Sequence, residues 1–330
     1  MRHFFVVNPH SFRVRGRIEQ VLTDIKNAFP DAGRMDYEIY MSRYSRDAIA
    51  AIHRYISKCS NDEIVRVYAV GGDGILFDCL NGVVDFPNAE LTSVPYGNTN
   101  DFVRIYGPAA VPAFRDIKNL TNAPSRPVDI IHCGGNYALI EVCIGMIGQV
   151  VIHANKIFRR SSGELVRRFM PQIYMLSGLK ALMNDEVMKQ SYTVNMDGED
   201  MSGNYFNIHI SNGPCNGRSN LPCPYAVPDD GLLDVIFANA KGKLNVARII
   251  GDYNKGWFEK HRIFRYERCR VMEIKSDVLM YVQMDGETFF AQELKLILIP
   301  GGIKFFAPKG LDFADYSQMT YKGRKGVIYK

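Results

Sequence analysis

The sequence predicts an α/β fold in two parts: an N-terminal doubly wound parallel-sheet domain and a C-terminal β-rich domain built as an antiparallel sandwich or barrel. Three observations predict it. β-prone apolar runs alternate with helical patterns in the first part of the chain. Strands crowd the second part. A composition break at Ala123-Pro-Ser-Arg-Pro127 separates the two regimes. The expected domains are therefore residues 1–126 and 127–308, followed by a basic tail, 309–330, either loose or packed back on the first domain.

In the first part, His3–Val7 is an apolar strand closed by Asn8-Pro9, and Ile18–Phe29 has helical periodicity. Asp36–Met41 reads as a strand. Arg46–Cys59 is an amphipathic helix with Ala48, Ile49, Ile52, Tyr55 and Ile56 on its apolar side. Ile64–Val70 is a strand, Ile75–Val84 a helix and Leu91–Val94 a further strand. Strands separated by helices imply parallel pairing through right-handed crossovers, with ligands beyond the carboxyl ends of the strands. Those ends carry Asn8-Pro9, Ser42, Gly71-Gly-Asp-Gly74 and Pro95-Tyr-Gly-Asn-Thr-Asn-Asp101, so four special turns converge on one rim.

Beyond the break, strands are expected at Val128–Cys133, Tyr137–Ile144, Ser191–Met196, Tyr205–Ser211, Leu233–Ala238, Arg270–Ile274, Leu279–Met284, Leu294–Ile299 and Ile303–Ala307. Asp-Gly, Gly-Asn and Gly-Gly turns suited to hairpins join them. Helices over Ile157–Met183 and Leu244–Glu259 interrupt the series.

With 47% apolar residues the 330-residue chain can bury two cores. No apolar run is long enough to cross a bilayer, and the N-terminus enters a strand without signal-peptide architecture. Seven scattered cysteines with no CxxC pair fit a reduced, cytoplasmic setting. A net charge of +5 suits an anionic ligand or membrane surface and does not point to nucleic acid.

The most informative run is Val67-Tyr-Ala-Val-Gly-Gly-Asp-Gly-Ile-Leu-Phe77: strand, glycine turn, helix. Gly71, Gly72 and Gly74 let backbone approach an anion, whereas Asp73 repels phosphate unless a divalent cation bridges them or Asp73 orients a catalytic group. A plain tight turn explains the tetrapeptide equally well. Pro95–Arg104 repeats the logic: Gly97 permits close approach, and Asn98, Thr99 and Asn100 offer polar groups, although Asn100 or Asp101 also suits a helix cap. Neither GxxxxGK[ST] nor GxGxxG occurs, which excludes a P-loop and disfavours a dinucleotide site.

Taken together, GGDG after a strand followed by P-x-G-x-x-N-D-F-x-R resembles the diacylglycerol kinase catalytic domain family, which includes sphingosine and ceramide kinases. The similarity runs over nearly the whole chain: Asn8-Pro9, Ser42 before Asp47-Ala48, Pro228-Asp-Asp-Gly-Leu-Leu-Asp234 and Met284-Asp-Gly-Glu287 follow in order. It is greatest to small bacterial lipid kinases. The resemblance implies an ATP- and Mg²⁺-dependent transfer to a lipid hydroxyl, that of diacylglycerol, in a cleft between an α/β nucleotide domain and a lipid domain. Asn8, Ser42, Gly71, Gly72, Gly74, Asn98 and Thr99 match its nucleotide positions. Asp73 would serve the metal or the base, and Glu287 matches the base. A structural Mg²⁺ would sit on the Asp230 carboxylate with the carbonyls of Val227 and Leu232. Where the family has Thr this chain has Ile75, and the missing hydroxyl removes about 1 kcal/mol of polar contact.

MDGE occurs twice, at 196–199 and 284–287. The flanks of the late copy match the family's catalytic segment, so Glu287 is assigned the base and Glu199 a structural hairpin. Residues 153–183 mix Arg159, Arg160, Arg167, Arg168 and Lys180 with large apolar side chains. They suit either an anionic bilayer, where a lipid substrate would be met at the inner membrane face, or a helix covering the β domain. A homodimer is compatible with the sequence. Two rivals stand beside the lipid kinase: an NAD-kinase-like or other soluble small-molecule kinase, disfavoured by the late DGE, and a non-catalytic lipid- or nucleotide-binding protein, supported by Ile75 alone.

Overall fold

The computed structural model describes residues 1–12, 17–30, 37–107, 109–160, 169–217, 220–239 and 243–319. Four parallel strands, β1 (Arg2–Val7), β2 (Tyr37–Met41), β3 (Val65–Gly71) and β4 (Ala89–Pro95), lie in the order β2-β1-β3-β4. β3 and β4 are buried at every residue, as expected for parallel strands covered on both faces. The helices α1 (Arg17–Ala28), α2 (Asp47–Ile56) and α3 (Asp73–Val83) make the crossovers. α2 buries its Ala48, Ala51, Ile52 and Ile56 stripe.

α3 is buried on most sides, because the sheet covers one face and the second domain another: Phe77 belongs to the core of the β-rich part. Ile75 is only 3% exposed and lies in the N-terminal core. A threonine there would place a hydroxyl among apolar neighbours and remove a methyl contact. Ile75→Thr is therefore expected to cost about 1–2 kcal/mol of stability. Its chemical-denaturation midpoint should fall and its turnover should not rise.

The second part contains β5 (Ser125–Cys133), β6 (Asn136–Ala138), β7 (Glu141–Gly145), β8 (Ser191–Met196), β9 (Glu199–Asp200), β10 (Gly203–Ser211), β11 (Leu233–Asn239), β12 (Phe264–Cys269), β13 (Val271–Met284) and β14 (Glu287–Phe306). Pairing among them is antiparallel. Several expected boundaries shift. The strand expected at Tyr137–Ile144 is split at Leu139 and Ile140, whose N–H groups go to the Asp285 carboxylate instead of a ladder. Two expected strand pairs merge into the long β13 and β14, each carrying a register shift where a loop was expected.

Of the helix expected over Ile157–Met183, the described residues show the helices Met146–Arg160 and Met170–Leu182. The first begins directly after β7, where Gly148 allows close contact: a Cβ there would lie 2.3 Å from the Tyr281 carbonyl oxygen. The expected Leu244–Glu259 helix ends at Tyr253, short of Gly256, whose φ is +74°. Arg167, Arg168 and the tail residues Lys322, Arg324, Lys325 and Lys330 lie outside the described residues.

β14 joins the two parts. It runs antiparallel to β13 and β5, shifts register between Ile299 and Ile303, then pairs in parallel with β4 at Lys304 and Phe305. Its last residues, Ile303, Phe305 and Phe306, enter the N-terminal core. The chain beyond stays on that domain: Leu311, Phe313 and Tyr316 pack against its core, and the Ala314 N–H donates to Ile105 O at 2.9 Å.

Candidate active site

The turns after β1, β3 and β4 meet as the parallel sheet predicts. Asn8 caps the short 3-10 turn Pro9–Ser11 through the His10 N–H (3.0 Å), and its own N–H donates to Val70 O (2.9 Å). Gly71 packs against this turn: a Cβ on it would lie 2.9 Å from Ser11 Oγ and 2.8 Å from Ile75 Cγ2. Gly72 faces Gly97. A Cβ on Gly97 would fall 2.3 Å from Gly72 Cα, so these two glycines let the turns touch each other before any ligand is considered. By contrast, Gly74 faces open space and leaves room for a ligand at the start of α3.

Gly97→Ala must push the turns apart. It should destabilise the fold by about 1–3 kcal/mol and reduce nucleotide binding with it. Calorimetry with and without ATP measures both, and an unchanged melting profile would show that the contact is slack.

Asp73 locks the same junction. Its carboxylate accepts from the Thr99 hydroxyl, the Asn100 N–H (2.9 Å) and the Asp101 N–H (2.7 Å). Three of the roughly four lone-pair directions of an ionised carboxylate are thereby used, leaving about one for a cation. Ser42 follows β2, with its N–H on Val7 O, and its hydroxyl turns inward to Asp47 Oδ1 (3.0 Å). Burial works to raise the Asp47 carboxyl. The Arg43 N–H and the Tyr40 and Ser42 hydroxyls outweigh it and hold Asp47 below the ordinary carboxylate range.

Beyond β4 lies a polar cavity of about 240 Å³ lined by Arg17, Tyr96, Asn98, Arg104 and Arg115. Arg104 Nε donates to Thr99 O (2.7 Å), and Arg115 Nε to Pro95 O (2.8 Å) with its guanidinium over the Tyr96 ring. Burial, together with the like charges of Arg17 and Arg104, holds Arg115 below its ordinary value. Converging guanidiniums beside exposed turn backbone suit a phosphate group. Arg104 belongs to the motif read in the sequence. Arg17 and Arg115 do not, and only the fold brings them there.

The late MDGE turn reaches α3 from the β-rich part. Asp285 and Gly286 both have positive φ, and the Asp285 carboxylate accepts from the N–H groups of Leu139 (2.6 Å), Ile140 (3.1 Å) and Glu141 (2.9 Å). The early copy uses the same device: Asp197, also at positive φ, accepts from the N–H groups of Arg270 (2.9 Å) and Val271 (2.8 Å). The aspartate in both copies is thus a clamp on a neighbouring strand, and the glutamates differ in where they sit. Glu199 is exposed at a hairpin. Glu287 is half-buried opposite α3, where its charge helps raise Asp78. Burial is the main cause that pushes the Asp78 carboxyl up to about 6, against the pull of Arg46, whose N–H donates to Asp78 Oδ2 at 2.9 Å.

A buried network braces the Glu287 turn. Gln283 accepts the Gly286 N–H (3.1 Å) and donates to Glu141 Oε1, while Glu141 Oε2 meets His209 Nε2 (2.9 Å) and the Asn216 amide (2.6 Å). The next residue, Gly217, donates its N–H to Asp101 Oδ2 (2.8 Å), and the Asp101 N–H is the one bound to Asp73. A chain of hydrogen bonds therefore crosses the cleft from the GGDG turn to the DGE turn.

The expected structural-metal residues sit together in the loop before β11. The Asp230 carboxylate contacts the Arg268 guanidinium and accepts the Leu232 N–H (3.0 Å), and Val227 is exposed. Asp129 on β5 pins this loop through the Gly231 N–H (2.8 Å). The guanidinium supplies positive charge where the sequence suggested a cation.

Comparison with known proteins agrees with this architecture. Residues 2–133 match the model of the diacylglycerol kinase catalytic domain, and residues 148–307 match that of the YegS C-terminal NAD kinase beta sandwich-like domain. The chain is 26% identical over 263 residues to the "Probable lipid kinase YegS-like" of Alcanivorax borkumensis, covering 78% of this chain and 83% of that protein. It is 25% identical over 297 residues to the protein of the same name from Pseudomonas syringae pv. tomato, covering 86% and 89%. A crystal structure of a diacylglycerol kinase from Bacillus anthracis superposes with a TM-score of 0.67 at 19% identity, covering 94% of this chain and 98% of that one. The chain therefore carries a diacylglycerol kinase catalytic domain over residues 2–133 and a YegS-type C-terminal domain over residues 148–307, the two-domain make-up of a lipid-kinase phosphotransferase.

Proposed function

We propose that the protein transfers the γ-phosphoryl group of ATP to a lipid hydroxyl, that of diacylglycerol, to give phosphatidic acid. The observation that carries this is the hydrogen-bonded brace linking the GGDG turn to the DGE turn, with an arginine-lined cavity beyond β4 and Glu287 beside α3. Arg17, Arg104 and Arg115 would hold phosphate oxygens. Asn8, Ser42, Gly71, Gly72, Gly74, Asn98 and Thr99 shape the nucleotide side. Glu287 would take the hydroxyl proton as the lipid oxygen attacks the γ-phosphorus and the bond to the β–γ bridging oxygen breaks, releasing ADP.

Mg²⁺ supplies charge neutralisation on the phosphates when bound, and the remaining lone pair of Asp73 fits it. A second, structural Mg²⁺ is proposed at Asp230 with the carbonyls of Val227 and Leu232. There it would have to share the carboxylate with Arg268. Among the described residues no helix is long and apolar enough to cross a membrane. The proposed working place is the cytoplasmic side of the inner membrane, reached by peripheral contact.

Radiolabelled ATP incubated with a lipid-extract panel, with NAD and sphingoid bases as competitors, tests this. A labelled lipid that comigrates with phosphatidic acid and vanishes in Glu287→Gln is expected. Label entering NAD or a water-soluble acceptor would replace the proposal with a soluble-kinase activity.

A further inference from the structure

The helix Met170–Leu182 turns a stripe of large apolar side chains outward. Its inward side carries Ser177 and Ala181, at 3% and 0% exposure, with Tyr174 and Leu182 partly buried beside them, while Met175, Leu176 and Leu179 are 60%, 58% and 54% exposed. Met183, just past its end, is 72% exposed. At 3.6 residues per turn these four fall within an arc of about 100°. Phe169, 47% exposed at the N-terminal end, extends the same stripe. A helix that only covered a domain would not leave so many of its large apolar residues outward.

The charge around this stripe has one sign where it borders the neighbouring helix. Lys180 is exposed at its edge, and Lys156 is exposed on Met146–Arg160, against which the helix packs. Both lysines act on His153, holding it down after burial, so they lie on one side of the pair. On the same neighbouring helix, Asn155 donates to Gly286 O (3.3 Å) in the turn that carries Glu287. The striped helix itself reaches the nucleotide-side turn: burial raises the Tyr174 phenol, and the nearby Asp101 charge adds to it.

Resting on the lipid-kinase reading, we propose that this stripe is the membrane-docking face: its large apolar side chains enter the boundary of an anionic bilayer while Lys156 and Lys180 meet the headgroups. Docking there brings the DGE turn to the depth at which a diacyl lipid presents its hydroxyl.

The test is sedimentation of the full chain with phosphatidylcholine vesicles containing about a third phosphatidylglycerol, compared with phosphatidylcholine alone. Wild type should pellet with the anionic vesicles, and Leu176→Glu/Leu179→Glu should lose about tenfold or more of that partition. The same double variant should keep its transfer to a short-chain diacylglycerol in detergent micelles, because neither residue belongs to the site. Leu179→Ser alone should give an intermediate loss and guards against a misfolded double variant. Unchanged vesicle binding in the variants overturns the proposal. So does a shift from dimer to monomer on gel filtration with vesicle binding intact, since a second copy would then be the occupant. Absence of transfer to the short-chain acceptor in wild type, with vesicle binding still lost in the variants, would instead refute the proposed activity and leave the docking face standing.

Discussion

Glu287→Gln is expected to leave a folded protein that binds ATP normally and transfers 10²–10⁴-fold less phosphate, roughly the share a positioned base contributes. The substitution keeps the shape of a half-buried side chain and removes only its ability to take a proton. The turn around it does not depend on that carboxylate, because Asp285 and Gln283 hold the backbone. Nucleotide titration and single-turnover transfer therefore separate cleanly. Near-wild-type transfer by the variant would mean that another group is the base, and Asp78, held near pH 6 beside it, is the first to examine.

Asp73→Asn should do damage of a different kind. One oxygen of Asp73 accepts the Asn100 N–H and the Thr99 hydroxyl, the other the Asp101 N–H. An amide offers only one acceptor and points its NH₂ at a backbone donor. Loss of a charge-assisted bond and the new donor–donor clash cost about 2–4 kcal/mol. The second turn should then loosen, weakening Mg²⁺-dependent ATP binding by at least about tenfold, since 1.4 kcal/mol corresponds to tenfold. Equal ATP affinity with and without Mg²⁺ in both proteins would remove Asp73 from the metal and leave it the clamp alone.

The strand–helix alternation was legible because parallel strands buried on both faces leave apolar runs bounded by glycine and proline turns. The motif residues were legible as a set, but not always in the work they do. Gly72 and Gly97 read as phosphate approach, and the structure uses them first for each other. Sequence cannot separate those uses, since both require only that a Cβ be missing. Arg17 and Arg115 escaped notice because a lone arginine acquires meaning only when α1 and the loop before Asp116 carry it to the end of β4. The Glu141–His209–Gln283 brace was equally hidden: its members face one another through strand register, which no local pattern records. Pro300-Gly-Gly read as a hairpin, yet it is the bulge through which β14 changes partners.

That change of partners has a consequence for how the chain is made. The nucleotide-side sheet cannot be finished when its own first four strands have left the ribosome, because Phe305 and Phe306 of its core are supplied by β14. Until then β4 has an open edge, and apolar residues on it wait through the synthesis of the whole β-rich part. The first domain to be made is thus the last to be completed, a long-range closure that slows folding and lengthens the time during which a bare strand edge can pair with a neighbour.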